Sequence, residues 1–227
     1  MVQGEIPLDG TTSREEGAST RSEERVREQK RRILLAASHA FREHGFHATG
    51  MRAIAASLGM TVGNLYYYFR NKQELLAFCQ EETVSRLLAL AEWVEARALS
   101  APDRLYLLLV GGVLCLNEGT PGSLAHIEVE ALDPEWRARI QAERDRFEEV
   151  VTGVLAAGCE DGSFRAVDPR IAAYASLGAV NWTVKWFRPD RRFTAGEIGE
   201  QFAEQLVRGV LAEGEPWTPP DASLPPL

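Results

Sequence analysis

The feature that constrains this chain most is a pair of short apolar-patterned segments separated by one glycine, within residues 49–72. Ile54, Ala55 and Leu58 supply the inward face of a short helix, which stops at Gly59 because glycine takes a left-handed conformation without steric cost. Thr61 is placed to cap the next helix, its hydroxyl accepting a backbone N–H two or three residues on. Leu65 and Phe69 then turn inward onto the first helix. The outward face keeps Val62, Gly63, Asn64, Tyr67 and Tyr68. Short side chains near a helix start let backbone approach base edges in a major groove, and tyrosine hydroxyls bond phosphate, so this face suits DNA. Asn71 followed by Glu74 predicts a capped third helix, with Lys72 in its first turn where a phosphate is favoured.

With those residues in view, the run from about residue 29 to 78 resembles the DNA-binding domain of the TetR family of bacterial transcription regulators. The resemblance is carried by Ile54-Ala55, Gly59, Leu65-Tyr66, Phe69 and Asn71-Lys72. It implies that Thr49, Arg52, Val62, Gly63, Asn64, Tyr66, Tyr68 and Lys72 lie at or near DNA, beside the capping Thr61 and the outward Tyr67. The second helix offers no Arg or Lys for a guanine edge, which leaves Asn64, the tyrosines and Arg52 as base-readers.

A net charge of −8 argues against DNA only until it is divided along the chain. Residues 25–72 hold nine basic side chains against Glu28 and Glu43, a local charge of +7, and the remainder carries −15. A basic reader on an acidic body orients toward phosphate and binds with strong salt dependence. Cys79, Cys115 and Cys159 form neither a disulfide framework nor a paired-cysteine zinc site, so reduced thiols in a cytoplasmic protein are expected. No leader-like apolar stretch and no run of about 18 apolar residues argues for secretion or a membrane.

The chain divides into an arm over 1–24 without periodicity, a reader over 25–72, a body over 73–213, and a proline-rich mobile tail over 214–227. Every periodic segment is helical, and the fold class is all-α, an N-terminal three-helix helix-turn-helix domain followed by a helical ligand-binding and dimerisation domain. Helices are predicted from Arg25 to about His44, over 72–98, from Pro102 through the apolar run Leu105–Leu116, over Ser123–Ala131, from Asp133-Pro134 to a stop at Gly158, from Asp168-Pro169 to Phe187, and over 195–213. In the last, Ile198, Phe202, Leu206 and Val210 recur every four residues and demand a partner. The resemblance implies that the final two helices pair with their copies across a twofold axis. A homodimer sets two recognition helices roughly 34 Å apart, or a multiple of that, and matches a pseudo-palindromic operator.

For an effector, the aromatic and polar candidates are Trp93, Tyr106, Leu109, Val113, Asn117, Phe147, Trp182, Lys185 and Trp186. Each is also an ordinary core or interface side chain. Lys185 beside the Trp186 indole suits a nucleotide and its phosphates. The stretch Gly178 to Pro189 resembles TetR-family members that answer acyl-CoA thioesters. The His126-x-Glu128 pair lacks the Cys-x-x-Cys of a zinc deaminase, and His39, His44 and His47 are not spaced as a tetrahedral set. No metal, cofactor or catalytic role is expected. The resulting expectation is a ligand-responsive repressor, released from DNA when an effector such as an acyl-CoA shifts the fourth helix. A ligand-independent architectural DNA binder and an acyl-thioester-handling enzyme are the alternatives.

Overall fold

The computed structural model describes residues 12–118 and 129–225. Its elements in chain order are α1 (Thr12–His44), α2 (Met51–Ser57), α3 (Val62–Tyr68), α4 (Lys72–Glu95), α5 (Ala101–Asn117), a single 3-10 turn (Val129–Ala131), α6 (Pro134–Asp161), α7 (Pro169–Trp186) and α8 (Ala195–Val210). The only strand-like feature among the described residues is one isolated antiparallel bridge between Phe164 and Leu211. No helix among them is long and apolar enough to cross a membrane. The predicted helix over 123–131 falls mainly outside the described residues, as does the His126-x-Glu128 pair.

Side-chain caps set most of the helix starts. Thr61 accepts from the Asn64 amide, Asn71 from Glu74, Ser100 from Asp103, and Asp168 from both Arg170 and Ile171. Thr194 and Glu197 cap each other reciprocally at the start of α8. Each cap satisfies an amide that the first helical turn leaves without an intrahelical acceptor.

Several boundaries differ from the sequence expectation. The first helix begins at Thr12, not Arg25, so residues 12–24 of the expected mobile arm are helical. That stretch is rich in Glu and Arg, both good helix formers, although it lacks an apolar stripe. Residues 1–11 lie outside the description. Helix α6 does not stop at Gly158 but runs to Asp161, where Gly162 adopts φ +82°. Gly158 has a different duty: a Cβ there would collide with the buried ring of Phe164.

Two hydrophobic cores form. One gathers Ile33, Phe41, Ile54, Leu65, Phe69, Leu75 and Val84 from α1–α4, together with Leu132 and Ile140 from the start of the body. The other joins Leu87, Leu90 and Val94 of α4 to α5, α6, α7 and α8. The two cores divide inside α4, between Val84 and Leu87. A single long helix shared by both cores explains why its apolar residues do not fit one narrow face.

The tail expected to be mobile is docked through residue 225. Trp217 lies against Tyr106 with ring centroids 5.7 Å apart, and its indole N–H donates to Asp103 Oδ1 at 2.9 Å. Ala222 and Leu224 also pack on the C-terminal core. Apolar anchors at these positions outweigh the proline-rich composition that suggested a free chain.

Candidate nucleic-acid interface and ligand cavity

The hinge between α2 and α3 has the conformation its residues call for. Gly59 sits at φ +64°, and the Met60 amide turns back to the Ala55 carbonyl at 2.9 Å. Leu65 and Phe69 are buried, which fixes the rotation of α3 and sends its opposite face outward. Gly63, Asn64, Tyr66 and Tyr67 are exposed on that face, Tyr67 by 76%, and Arg52 is exposed on α2. Exposed Arg25, Arg27, Arg31 and Arg32 on α1 and Arg70 before α4 add positive charge to the same unit.

Other sequence candidates are occupied by the fold. Thr49 is buried, and its hydroxyl is within hydrogen-bonding distance of the Gly45 carbonyl at 2.8 Å and the Ala40 carbonyl at 3.1 Å. Lys72 donates to the Phe46 and Thr49 carbonyls at 2.7 and 2.9 Å, and lies 4.2 Å from the centre of the Phe46 ring. Burial pulls its pKa below the ordinary lysine value. Both residues thus brace the loop before α2. Thr61 spends its oxygen on the Asn64 amide, and Val62 and Tyr68 are half-buried.

The body holds a partly open cavity of about 280 Å³ between α4, α5, α6 and α7. Leu87, Leu108, Leu116, Phe147, Leu177 and Val180 give it apolar walls, whereas Gln141, Arg144, Asp145, Glu148, Tyr174 and Asn181 supply polar groups. Gly112 lets α5 and α7 approach, since a Cβ there would stand 3.3 Å from Val180 Cγ1.

Of the nine effector candidates read from sequence, only Phe147 lines this cavity. Tyr106 is committed to Trp217, while Leu109 and Val113 are closed into the core. Asn117 is buried and donates to the Thr183 hydroxyl at 2.7 Å, tying α5 to α7. Trp93 is half-buried under the Arg97 guanidinium, whose carbon lies 3.4 Å from the ring centre. Trp182 and Trp186 are 63% and 42% exposed, and Lys185 is exposed with them, because α7 turns Val180, Thr183 and Val184 inward instead.

Sequence reasoning missed Arg144. The available signal was its position in α6, where a cation interrupts the apolar series Ile140, Phe147, Val151 and Val154. Burial lowers this guanidinium to about 10, and its Nη2 donates to Gln80 Oε1 at 3.1 Å.

The stripe read from sequence for dimerisation divides between core and surface. Ile198 is buried within the chain, where α8 packs mainly on α5 through Ala195, Gly199, Ala203 and Val207. Phe202, Leu206 and Val210 remain half-exposed at the edge of that contact, and Phe202 faces Trp186 with ring centroids 6.0 Å apart. The series most deeply buried against α5 is offset by one residue from that stripe, which leaves Phe202, Leu206 and Val210 only partly covered.

Comparison with known proteins agrees with this architecture. Residues 33–78 match the family described as bacterial regulatory proteins, tetR family, and residues 99–210 match the tetracyclin repressor-like C-terminal domain. The crystal structure of the TetR-family transcriptional regulator PfmR from Thermus thermophilus is similar at 31% identity and TM-score 0.72, covering 78% of this chain and 97% of PfmR. The chain belongs to the TetR family of bacterial transcriptional regulators.

The regulator is also 26% identical over 183 residues to the transcriptional repressor KstR2 of Rhodococcus jostii, covering 79% of this chain and 90% of that protein. A third similarity is to AibR in complex with isovaleryl coenzyme A and operator DNA, at 28% identity and TM-score 0.68, with 80% of this chain and 97% of AibR covered. Membership places the regulator outside the enzymes. Burial pushes the Cys79 and Cys115 thiols up to about 12 and about 11, away from the reactive thiolate.

Proposed function

We propose that this TetR-family regulator is a homodimeric repressor that reads a pseudo-palindromic operator and is released by an amphiphilic effector, an acyl-CoA thioester being the favoured class. The observation that carries the reading is the pairing of an exposed α3 face with an apolar cavity bearing polar groups, joined through α4. Arg52, Gly63, Asn64, Tyr66 and Tyr67 are the proposed DNA-contacting set, with Thr49, Thr61 and Lys72 holding the reader in shape. The complex of AibR with both isovaleryl coenzyme A and DNA supports the effector class.

The effector cavity is assigned to the Phe147 and Arg144 wall, and the acyl chain is directed toward Leu87, Leu108, Leu116 and Val180. The exposed Trp182 and Trp186 on α7, with Phe202, Leu206 and Val210 on α8, are assigned to the twofold interface. Such large aromatics gain from a partner surface that removes them from water. Effector binding shifts α4 and with it the spacing of the two α3 helices, to the extent that the effector binds the released state more tightly.

Footprinting on the DNA upstream of the regulator's own gene tests this directly. Two protected half-sites related by a twofold axis, about one helical turn or a multiple apart and lost on adding a thioester, are the expected result. Uniform protection without half-sites would instead indicate a binder that ignores sequence.

A further inference from the structure

The two cores meet on α6. Ile140 is buried with α1–α4, Phe147 lies in the C-terminal core and lines the cavity, and Arg144 stands between them on the same helix. Arg144 reaches across to α4, where its Nη2 donates to Gln80 Oε1. Gln80 is only 1% exposed, and its own Nε2 has no hydrogen-bond partner. A buried amide held on one side only is costly, so its bond to the cavity arginine is a contact whose loss α4 will register. The same helix begins at Lys72, which fixes the loop before α2 through the Phe46 and Thr49 carbonyls. One helix thus links Arg144 to the reader.

Resting on the effector reading above, we propose that Arg144 is the positioning residue of the switch: an effector oxygen entering the cavity takes its guanidinium from Gln80 and frees α4 from the operator-competent position. The exchange replaces a bond to a neutral amide oxygen by one to the effector's carbonyl or carboxylate oxygen, and no covalent bond changes. A guanidinium already drawn down by burial gains more from such an acceptor than a surface arginine does. Asp145 and Glu148 line the same cavity and repel further negative charge, so Arg144 receives one oxygen-bearing head while a phosphate-rich portion of the ligand stays outside.

Two substitutions at Gln80 give opposite signs. Gln80→Met removes the acceptor and releases α4; the operator Kd without effector rises about fivefold or more, while isovaleryl-CoA and octanoyl-CoA bind more tightly, because coupling between two ligands is reciprocal. Gln80→Glu replaces the neutral acceptor by a carboxylate and locks α4; operator affinity holds and both thioesters bind more weakly. Operator binding is read by fluorescence anisotropy and thioester binding by calorimetry without DNA, on the full chain. Opposite shifts support the proposal. If Gln80→Met leaves both affinities unchanged, or weakens both together as a damaged fold would, it is overturned; if Gln80→Met does not fold, unchanged thioester affinity in Gln80→Glu overturns it. Silence of both thioesters on the wild type, with operator affinity still lost in Gln80→Met, sinks the thioester reading and upholds the hold of Arg144 on α4.

Discussion

Lys72 Nζ lies 2.7 Å from the Phe46 carbonyl oxygen and 4.2 Å from the centre of the same residue's ring, so one lysine fastens the start of α4 to the loop that precedes α2. Arg52, by contrast, stands exposed on α2. Two cations in one small unit therefore have different work, and the salt dependence of DNA binding separates them.

A phosphate contact contributes about one unit to the slope of log K against log salt. Arg52→Ala is expected to weaken operator binding and reduce that slope by about one. Lys72→Gln is expected to weaken binding with the slope unchanged, because it loosens the loop without removing a phosphate partner. Anisotropy titrations at several salt concentrations check both. A reduced slope in Lys72→Gln would show that its ammonium does reach phosphate.

Gly158→Ala sets two effects against each other. Alanine favours a helix interior by about 0.5–1 kcal/mol over glycine. Overpacking against the buried Phe164 ring costs about 1–3 kcal/mol. The clash wins, and denaturant unfolding should show a net loss of about 1–2 kcal/mol. A gain in stability would mean that α6 and Phe164 separate easily.

Trp217→Ala removes the indole from Tyr106 and its hydrogen bond to Asp103. Complete burial of a tryptophan would make the loss about 3–5 kcal/mol; this one is half-buried, so about 2 kcal/mol is expected in thermal or denaturant unfolding. An unchanged midpoint would return the C-terminal segment to the status of a free tail.

Trp182→Glu places a charge on the exposed α7 face. Sedimentation should show dimers converting to monomers, and operator affinity should fall with them because two half-sites are no longer joined. Retained dimers would assign the α7 face elsewhere.

What is legible in the sequence is mostly local. The roles of Thr61 and Asn71, the left-handed Gly59, and the inward Leu65 and Phe69 depend on neighbours within a few residues, and each can be inferred from chain chemistry. The cavity depends on which faces of four helices oppose one another, and periodicity does not fix that. Trp182 and Trp186 read as pocket residues in the sequence because an indole suits a cavity wall and a subunit interface equally well. Thr49 and Lys72 match the family pattern, yet their polar atoms are turned to backbone carbonyls that only the folded chain brings near. Trp217 lies in a segment whose prolines conceal an anchor for α5.

The most direct test of the account is an anisotropy titration of the purified regulator on its own upstream DNA and on a scrambled duplex, at fixed salt, with and without isovaleryl-CoA and longer acyl-CoAs. Preferential binding to the upstream DNA, weakened by at least one thioester about fivefold or more, is predicted. Equal affinity for both duplexes, unchanged by every thioester, would contradict it.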